Sequence, residues 1–358
     1  MSSNNWWTTP ARNGNTDMTD QLNWGILATG GIARKFAEAL PASRTGRLVA
    51  VGSRTPAAAE KFAADFPGVR AHGSYEALLA DPAVQAVYIA TPHPSHLEWT
   101  LHAAAAGKHI LCEKPLALNR ADAERMVAAA HRHRVFLMEA FMYRCHPQTA
   151  RLAELVREGA IGELRGINAS FTVPFKFDPA HRLFAKELGG GAILDLGCYP
   201  VSLARRMAGA AVGRDFAEPL TFQGAGRLNA VTGADEYAAA TVAFPGGITA
   251  QLTCSSCVAF EAAARLLGTA GWIDVPNPYH PGREGRPPGV TLHRPGADPE
   301  TIVVGGPQPL FAVEADTVGD AIARGETEAS AMSHADTLGN MAMLDAWRAA
   351  LGMRYDGE

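Results

Sequence analysis

Short apolar runs alternate with helical patterns from residue 22 to residue 142, and a glycine-containing loop follows the first run. The runs at 22–27, 48–52, 84–90, 108–112 and 135–138 predict strands, and the segments between most of them predict helices. Parallel strands need a crossover of about a dozen residues or more, which a helix usually supplies. Strands that alternate with helices therefore indicate a parallel sheet. The sequence therefore predicts a doubly wound α/β domain. A chain of 358 residues exceeds what one core usually serves, so a second domain is expected.

The loop after the first predicted strand has the spacing of a dinucleotide-binding turn. It matches G-x-G-x-x-G/A, with alanine at the first glycine, through Ala28, Thr29, Gly30, Gly31, Ile32 and Ala33. Glycines there let the backbone approach a pyrophosphate at the N-terminus of the next helix. The second strand ends in Ser53 and Arg54, where an acidic residue would bind the ribose of NAD. A guanidinium binds phosphate well, so Arg54 favours NADP, with a solvent-facing arginine as the alternative.

Composition narrows the class of protein. The chain is 47% apolar and 19% charged with a net charge of −4, which predicts neither a nucleic-acid-binding face nor a disordered acidic chain. Five scattered cysteines predict a reducing compartment, and Cys254 and Cys257 have metal-ligand spacing without a second pair, so no metal is expected. Without a long apolar segment, we expect a cytoplasmic protein that does not span a membrane. Residues 1–20 predict a flexible arm, with a partner-wrapping arm as the alternative.

The second half of the chain has a different pattern. After Pro147 the runs at 166–173, 236–244, 248–260 and 263–267 predict longer strands, and a short strand is expected around 271–275. Helices are expected at 311–324 and 334–351. Such strands form open, mostly antiparallel sheets that supply a substrate wall and a flat face for oligomers. We therefore expect a nucleotide-binding domain over 21–142 and a domain for substrate and assembly over 143–358.

Two stretches carry side chains suited to chemistry. The strand at 110–112 runs into Glu113 and Lys114, and a lysine at the carboxyl end of a parallel strand can reach a cofactor or a substrate. A surface ion pair is the alternative. If Gly191 opens a helix, Asp195 and the tyrosine four residues later share one face, and the proline that follows would kink the helix. An ordinary buried helix is the alternative there.

Several motifs together resemble one known family, the Gfo/Idh/MocA oxidoreductases. They are the loop at 28–33, Thr91-Pro92-x-x-x-His96, Gly107-Lys108-His109 with Glu113-Lys114-Pro115, Glu139-Ala140-Phe141-Met142-Tyr143-Arg144-x-His146-Pro147, and the glycine-rich segment 189–200. The resemblance spans roughly 22–355 and is nearest to the branch with glucose–fructose and aldose–aldose oxidoreductases and dimeric dihydrodiol dehydrogenase. His93 stands where the family usually carries asparagine, and Ala28 replaces the first glycine.

The resemblance implies hydride transfer between an aldose C1 hydroxyl and NADP to give a lactone, with a second sugar as an acceptor. Oxidation of a trans-dihydrodiol, keto-sugar chemistry and a non-catalytic NADP-sensing regulator stay open as alternatives. The family pattern also implies a homodimer or homotetramer through the C-terminal sheet. We expect a small-molecule sugar as the substrate.

The resemblance also assigns roles to individual residues. Lys114 and Tyr199 would handle the hydroxyl proton, and we expect the lysine ammonium to lower the pKa of the tyrosine. Asp195 would hold substrate hydroxyls, and Glu113 would position the lysine or contact the nicotinamide ribose. The remaining assignments to cofactor or substrate are Thr91, Pro92, His93, His96, Arg144 and Arg182. A loop aromatic, Tyr279, either approaches the nicotinamide or packs in the core.

Overall fold

A computed structural model describes residues 21–282 and 287–355, which form two β-sheets with helices around them. The predicted arm over 1–20 lies outside the described residues. The strands are β1 (Leu22–Leu27), β2 (Gly46–Gly52), β3 (Arg70–His72), β4 (Ala86–Ile89), β5 (His109–Glu113), β6 (Leu137–Ala140), β7 (Leu164–Thr172), β8 (Thr221–Leu228), β9 (Asp235–Phe244), β10 (Ile248–Ser255), β11 (Ala263–Gly268), β12 (Gly271–Val275), β13 (Gly289–His293) and β14 (Glu300–Val303). The helices are α1 (Gly31–Ala39), α2 (Pro56–Ala63), α3 (Tyr75–Leu79), α4 (His96–Ala105), α5 (Arg120–His133), α6 (Met142–Cys145), α7 (Pro147–Arg157), α8 (Cys198–Ala211), α9 (Leu310–Ala323) and α10 (His334–Ala350).

The first sheet is entirely parallel and has the strand order β3-β2-β1-β4-β5-β6. This is the order of a dinucleotide-binding fold, whose ligand crevice lies where the strand order reverses. The strands are buried on both faces because helices cover them; Trp24, for example, meets the edge of Phe36, and Phe36 stacks on Tyr88. The predicted α/β class is confirmed.

Local sequence explains where several helices begin. The side chains of Thr55, Ser74 and Asn119 precede α2, α3 and α5, and each accepts a hydrogen bond from a backbone N–H of the first turn. Gly107 follows α4 with φ +71°, the left-handed conformation that favours glycine after a helix. The capping side chains and the glycine thus define where these crossover helices begin and end.

The second sheet has eight strands in the order β14-β13-β12-β11-β7-β10-β9-β8. All neighbours are antiparallel except β7 and β10, so the prediction of a mostly antiparallel sheet is confirmed. Four strands, β3, β8, β13 and β14, were not predicted. They are short or polar, and β8 is largely exposed, so the apolar pattern that marks a strand is weak in them.

The last two helices return to the first half of the molecule. Helix α9 packs against α1 and α6, and α10 packs against α5 and α8. The backbone N–H of Leu137 in β6 also donates to the carbonyl of Thr327, 3.0 Å away. The C-terminal segment therefore packs on helices of the first half and binds the start of β6. The division at residue 142 stays a prediction.

Candidate active site

The site lies at the carboxyl edge of the first sheet. The register pairs Ile89 in β4 with Cys112 in β5, and Glu113 with Ala140 in β6, so the three strands end side by side. The loops that follow β4 and β5 carry Thr91 and Lys114, and Glu113 is the last residue of β5. The predicted motifs, which are far apart in the chain, thus share one edge of the sheet.

The loop between β1 and α1 fits a dinucleotide. Helix α1 begins after Gly30 without a side-chain cap, so its first N–H groups remain available to an anion. A Cβ placed on Gly30 or Gly31 would meet no atom within 4 Å, which shows open space beside the loop. The hydroxyl of Thr91 is buried and has no hydrogen-bond partner among the described residues. An uncapped helix, an open loop and an unpartnered hydroxyl suit a pyrophosphate with its attached ribose.

The neighbouring strand supplies the residues assigned to the NADP phosphate. Ser53 follows β2, and its backbone N–H donates to the carbonyl of His72 at 3.1 Å. Arg54 comes next and is exposed to solvent. The segment carries no carboxylate at the end of β2, where NAD-specific proteins place one. A phosphate at this edge would meet a cation.

Three charged side chains converge beyond the loop. Nζ of Lys114 lies 2.8 Å from the main-chain oxygen of Asp195 and 3.3 Å from its Oδ1. Nη1 of Arg182 lies 3.0 Å from the same Oδ1. The tertiary fold therefore brings together three residues that the sequence analysis assigned to catalysis or substrate.

The charges of this group depend on one another. Burial by itself raises the pKa of Asp195, but the charges of Lys114 and Arg182 outweigh it and hold the pKa far below that of an ordinary carboxyl. Burial lowers the pKa of Lys114, but the negative charge of Asp195, together with Cys198 and Glu113, outweighs this, so the net shift is upward. Both groups are thus ionised at neutral pH.

Tyr199 completes the cluster in a different way from the one expected. Its ring lies under the lysine, with Nζ of Lys114 4.9 Å from the ring centroid. Its hydroxyl contacts the sulfur of Met142 at 3.8 Å, and aromatic rings including Phe171 and Tyr279 surround it. Burial raises the pKa of Tyr199 well above its ordinary value, and the lysine charge is paired with the aspartate instead. The expectation that Lys114 lowers this pKa is wrong.

The helix that carries these side chains is also irregular. A π-helical turn over Ile193–Gly197 precedes α8. The prediction placed Asp195 and Tyr199 on one face of a regular α-helix, but Asp195 lies in the π-helical turn and Tyr199 lies in α8. Pro200 lies in the first turn of α8 and does not kink a helix interior. At the end of the π-helical turn, the backbone N–H of Cys198 donates to the carbonyl of Leu196. The wider turn places Asp195 against Lys114.

Glu113 and His96 support the loop that carries the lysine. The carboxylate of Glu113 accepts hydrogen bonds from the hydroxyl of Tyr88 and, at 3.2 Å, from the backbone N–H of Lys114. His96 is fully buried, and its two ring nitrogens face the carbonyl oxygens of Pro115 at 3.1 Å and Thr91 at 2.9 Å. The structure thus gives Glu113 a positioning contact. His96 is committed to the backbone, which contradicts its assignment as a direct cofactor ligand.

Two other assignments change with the structure. The guanidinium of Arg144 is buried, lies 2.6 Å from Asp336 and 2.8 Å from the hydroxyl of Ser202, and contradicts the prediction that it contacts the cofactor. Tyr279 is fully buried and stacks on Phe171, with ring centroids 5.0 Å apart, so it packs in the aromatic shell around Tyr199. The sequence could not predict either contact, because Asp336 and Phe171 are far from Arg144 and Tyr279 in the chain.

The cysteine pair is split by the end of a strand. Strand β10 stops at Ser255, so Cys254 is buried within it and Cys257 is exposed beyond it, whereas the sequence predicted one strand through residue 260. Over residues 21–282 and 287–355, no group of three or more His, Cys, Asp or Glu side chains is placed to hold a metal ion. In the same ranges no helix is long and apolar enough to cross a membrane.

Comparison with known proteins assigns the chain to a family. The model of an oxidoreductase family with an NAD-binding Rossmann fold (GFO_IDH_MocA) matches residues 22–141, and the model of the GFO/IDH/MocA C-terminal domain matches residues 149–274. The chain belongs to the Gfo/Idh/MocA family of oxidoreductases. The resemblance, the fold class and the enzyme class expected from the sequence are thereby confirmed.

Individual relatives act on different molecules. The trans-1,2-dihydrobenzene-1,2-diol dehydrogenase of Danio rerio is 34% identical, over 93% of this chain and 98% of that protein. The dTDP-3,4-didehydro-2,6-dideoxy-alpha-D-glucose 3-reductase of Streptomyces violaceoruber is 35% identical, over 84% and 86%. A 3-ketoreductase from Actinomadura kijaniata, solved with TDP-benzene and NADP, has a TM-score of 0.80 at 31% identity, over 92% of this chain and 98% of that one.

An aldose-aldose oxidoreductase from Caulobacter crescentus shares the fold with a TM-score of 0.81, covering 92% of this chain and 97% of that one. Its sequence is 24% identical. This likeness concerns the fold alone.

Proposed function

We propose that this protein is an NADP-dependent sugar oxidoreductase, which moves a hydride between a hydroxyl-bearing sugar carbon and the nicotinamide. One observation carries the proposal. Nζ of Lys114 is held between Asp195 and the ring of Tyr199, at the sheet edge that also carries the open nucleotide loop. A proton-handling group beside a nucleotide site is the arrangement that alcohol–carbonyl interconversion requires.

The cofactor assignment rests on the β1–α1 loop and the end of β2. Gly30, Gly31 and Thr91 would hold the pyrophosphate and ribose, and Arg54 would pair with the additional phosphate of NADP. The similar 3-ketoreductase was solved with NADP, which supports this choice. When bound, NADP supplies the hydride acceptor in oxidation and, in reduced form, the hydride donor.

The protein's own task is to hold the substrate oxygen and manage its proton. The ammonium of Lys114 can donate a hydrogen bond to that oxygen, while Asp195 keeps the lysine oriented and charged. Burial keeps the phenol of Tyr199 protonated by raising its pKa, so the phenol is a proton donor at neutral pH. Both proton carriers thus rest in the acid form, which suits reduction of a carbonyl. Oxidation needs one of them to lose its proton, so its rate should rise with pH.

For the substrate, we propose oxidation of an aldose at C1 to a lactone, with a second sugar as the acceptor that returns the cofactor. A second candidate is the reverse reaction, reduction of a keto-sugar, or the corresponding oxidoreduction of a cyclic diol. The acid forms of Lys114 and Tyr199 favour that candidate, and relatives 34% and 35% identical act on a dihydrodiol and a keto-sugar.

The test uses purified full-length protein with a panel of aldoses and NADP, and with keto-sugars and NADPH, followed by the absorbance of the reduced cofactor. We expect turnover in at least one arm, and a loss of roughly 100- to 10,000-fold in kcat in Tyr199→Phe. Tyr237→Phe, in β9 of the second sheet, is the matched control and should keep wild-type rates. Inactivity in both arms despite NADP binding, or full activity of Tyr199→Phe, would refute the proposal.

A further inference from the structure

His93 stands at the point where the site departs from the usual pattern of the family. It begins a single 3₁₀ turn, His93–Ser95, just after β4. Nδ1 of its ring lies 3.1 Å from the carbonyl oxygen of Gly189, and Nε2 lies 3.9 Å from Oδ1 of Asp195. The side chain thus bridges the nucleotide half of the site and the segment that carries the catalytic aspartate.

The hydrogen bond to Gly189 determines which ring nitrogen of His93 carries the hydrogen. A carbonyl oxygen only accepts, so Nδ1 must donate. Burial lowers the pKa of His93 to about 3, and the nearby His96 adds to this effect, so the ring is neutral at physiological pH. Nε2 therefore has a free lone pair and acts as an acceptor.

That lone pair faces a second acceptor. Oδ1 of Asp195 is ionised, so neither it nor Nε2 of His93 has a hydrogen for the other. Within residues 21–282 and 287–355, no donor lies within hydrogen-bonding distance of Nε2. Oδ1 already accepts from Lys114 and Arg182. Only Nε2 lacks a donor, so a donor for it must come from a ligand or from solvent.

The surroundings select the kind of donor. The side chains of His93 and Asp195 each keep 8% of their surface exposed and that of Lys114 keeps 13%, so a small part of each stays accessible. A metal ion would meet the positive charges of Lys114 and Arg182, both within 3.3 Å of the carboxylate. Neutral hydroxyl groups meet no such repulsion and can donate to both acceptors.

We propose that Nε2 of His93 is a specificity-determining acceptor for a second substrate hydroxyl, on the carbon next to the one that reacts. Two hydroxyls on adjacent ring carbons donate to Nε2 of His93 and Oδ1 of Asp195, beside Nζ of Lys114. The substrate class is then a vicinal diol or the corresponding hydroxy ketone, a unit present in aldoses. This inference rests on the proposed oxidoreductase function and defines its substrate more closely.

The matched variant is His93→Asn. The asparagine amide can take the place of Nδ1 and donate to Gly189, while nothing replaces Nε2. His93→Phe is the second variant and removes both nitrogens with little loss of ring volume. The probes are D-glucose and 2-deoxy-D-glucose, which differ only in the hydroxyl next to C1, assayed with NADP in the full-length enzyme.

We expect His93→Asn to raise KM for glucose by roughly 10-fold, to change KM for the deoxy sugar by less than about 2-fold, and to leave kcat within about 3-fold. His93→Phe should also raise KM for glucose more than KM for the deoxy sugar. NADP affinity, from fluorescence titration, should stay within about 2-fold of wild type, since a structural or cofactor role would move it.

Other outcomes separate the two levels of inference. Equal losses with both sugars, or no loss with either, would overturn the role of His93 and leave the oxidoreductase standing. Inactivity of the wild-type enzyme with glucose, the deoxy sugar and a trans-1,2-cyclohexanediol probe, together with inactivity on keto-sugars with NADPH, would overturn the proposed function itself, and the inference with it.

Discussion

Glu139 offers a quantitative test of the electrostatics behind the catalytic loop. It lies in β6 and is almost fully buried, and its Oε1 accepts the backbone N–H of Leu116 at 2.9 Å, two residues after Lys114. Its Oε2 has no hydrogen-bond partner among the described residues. Burial raises the pKa of Glu139 to about 8, so the folded protein holds a neutral acid at neutral pH.

The sign of the resulting pH dependence follows from the two states. The unfolded chain loses this proton near the ordinary pKa of 4.5, and the folded chain holds it until about 8. Between these values the folded state binds more protons, so the free energy of unfolding falls by about 1.4 kcal/mol for each pH unit from this residue. Glutamine has the shape of the neutral acid and does not titrate, so Glu139→Gln removes this loss.

We expect the free energy of unfolding of Glu139→Gln, minus that of the wild type, to rise by about 3 kcal/mol between about pH 5 and about pH 8. Urea titrations followed by circular dichroism at several pH values would measure it. Because this difference is compared between two pH values, any pH-independent effect of the new amide on the free energy of unfolding cancels. Glu158→Gln, at an exposed residue just after α7, is the matched control for the change of a carboxyl to an amide. A flat or falling difference for Glu139→Gln would refute the burial argument.

Three further predictions concern the site directly. Lys114→Ala should abolish turnover while NADP still binds, which combined kinetics and fluorescence titration would show; wild-type turnover would contradict the role of the lysine. Arg54→Ala should weaken NADP by roughly 10-fold and leave NAD unchanged, whereas Arg47→Ala, near the other end of β2, should change neither; equal effects on both cofactors would argue against a phosphate contact. Ala28 has φ +87°, so Ala28→Gly should relieve backbone strain and raise the free energy of unfolding by about 0.5 kcal/mol; a clear loss in urea titration would speak against strain.

Much of the first half of the molecule was predictable residue by residue. The strand predicted at 22–27 matches β1, and the helix expected between the strands at 84–90 and 108–112 is α4. These elements are long, periodic and punctuated by glycine or a capping side chain, so local sequence carries the signal. Strand β14 escaped prediction because a short, exposed edge strand depends on its neighbour for pairing.

The site residues divide along the same line. Sequence motifs named Lys114, Asp195 and Tyr199, and the structure brings them together. Arg144 belongs to an equally specific motif, yet it is bound to Asp336, 192 residues away in the chain. A motif identifies a residue as unusual, but it does not tell whether its partner is a ligand or another side chain.

The sequence alone determined the nucleotide-binding half-fold, its family and the residues proposed to handle the proton, because strand–loop–helix patterns and glycine positions act over short distances. Only the tertiary structure decided the charge states: Asp195 is ionised between two cations, Tyr199 is a buried neutral phenol, and His93 presents its lone pair to the cleft. These states depend on burial and on charges contributed by distant segments. The protonation of a side chain follows from its surroundings in space and not from its neighbours in sequence.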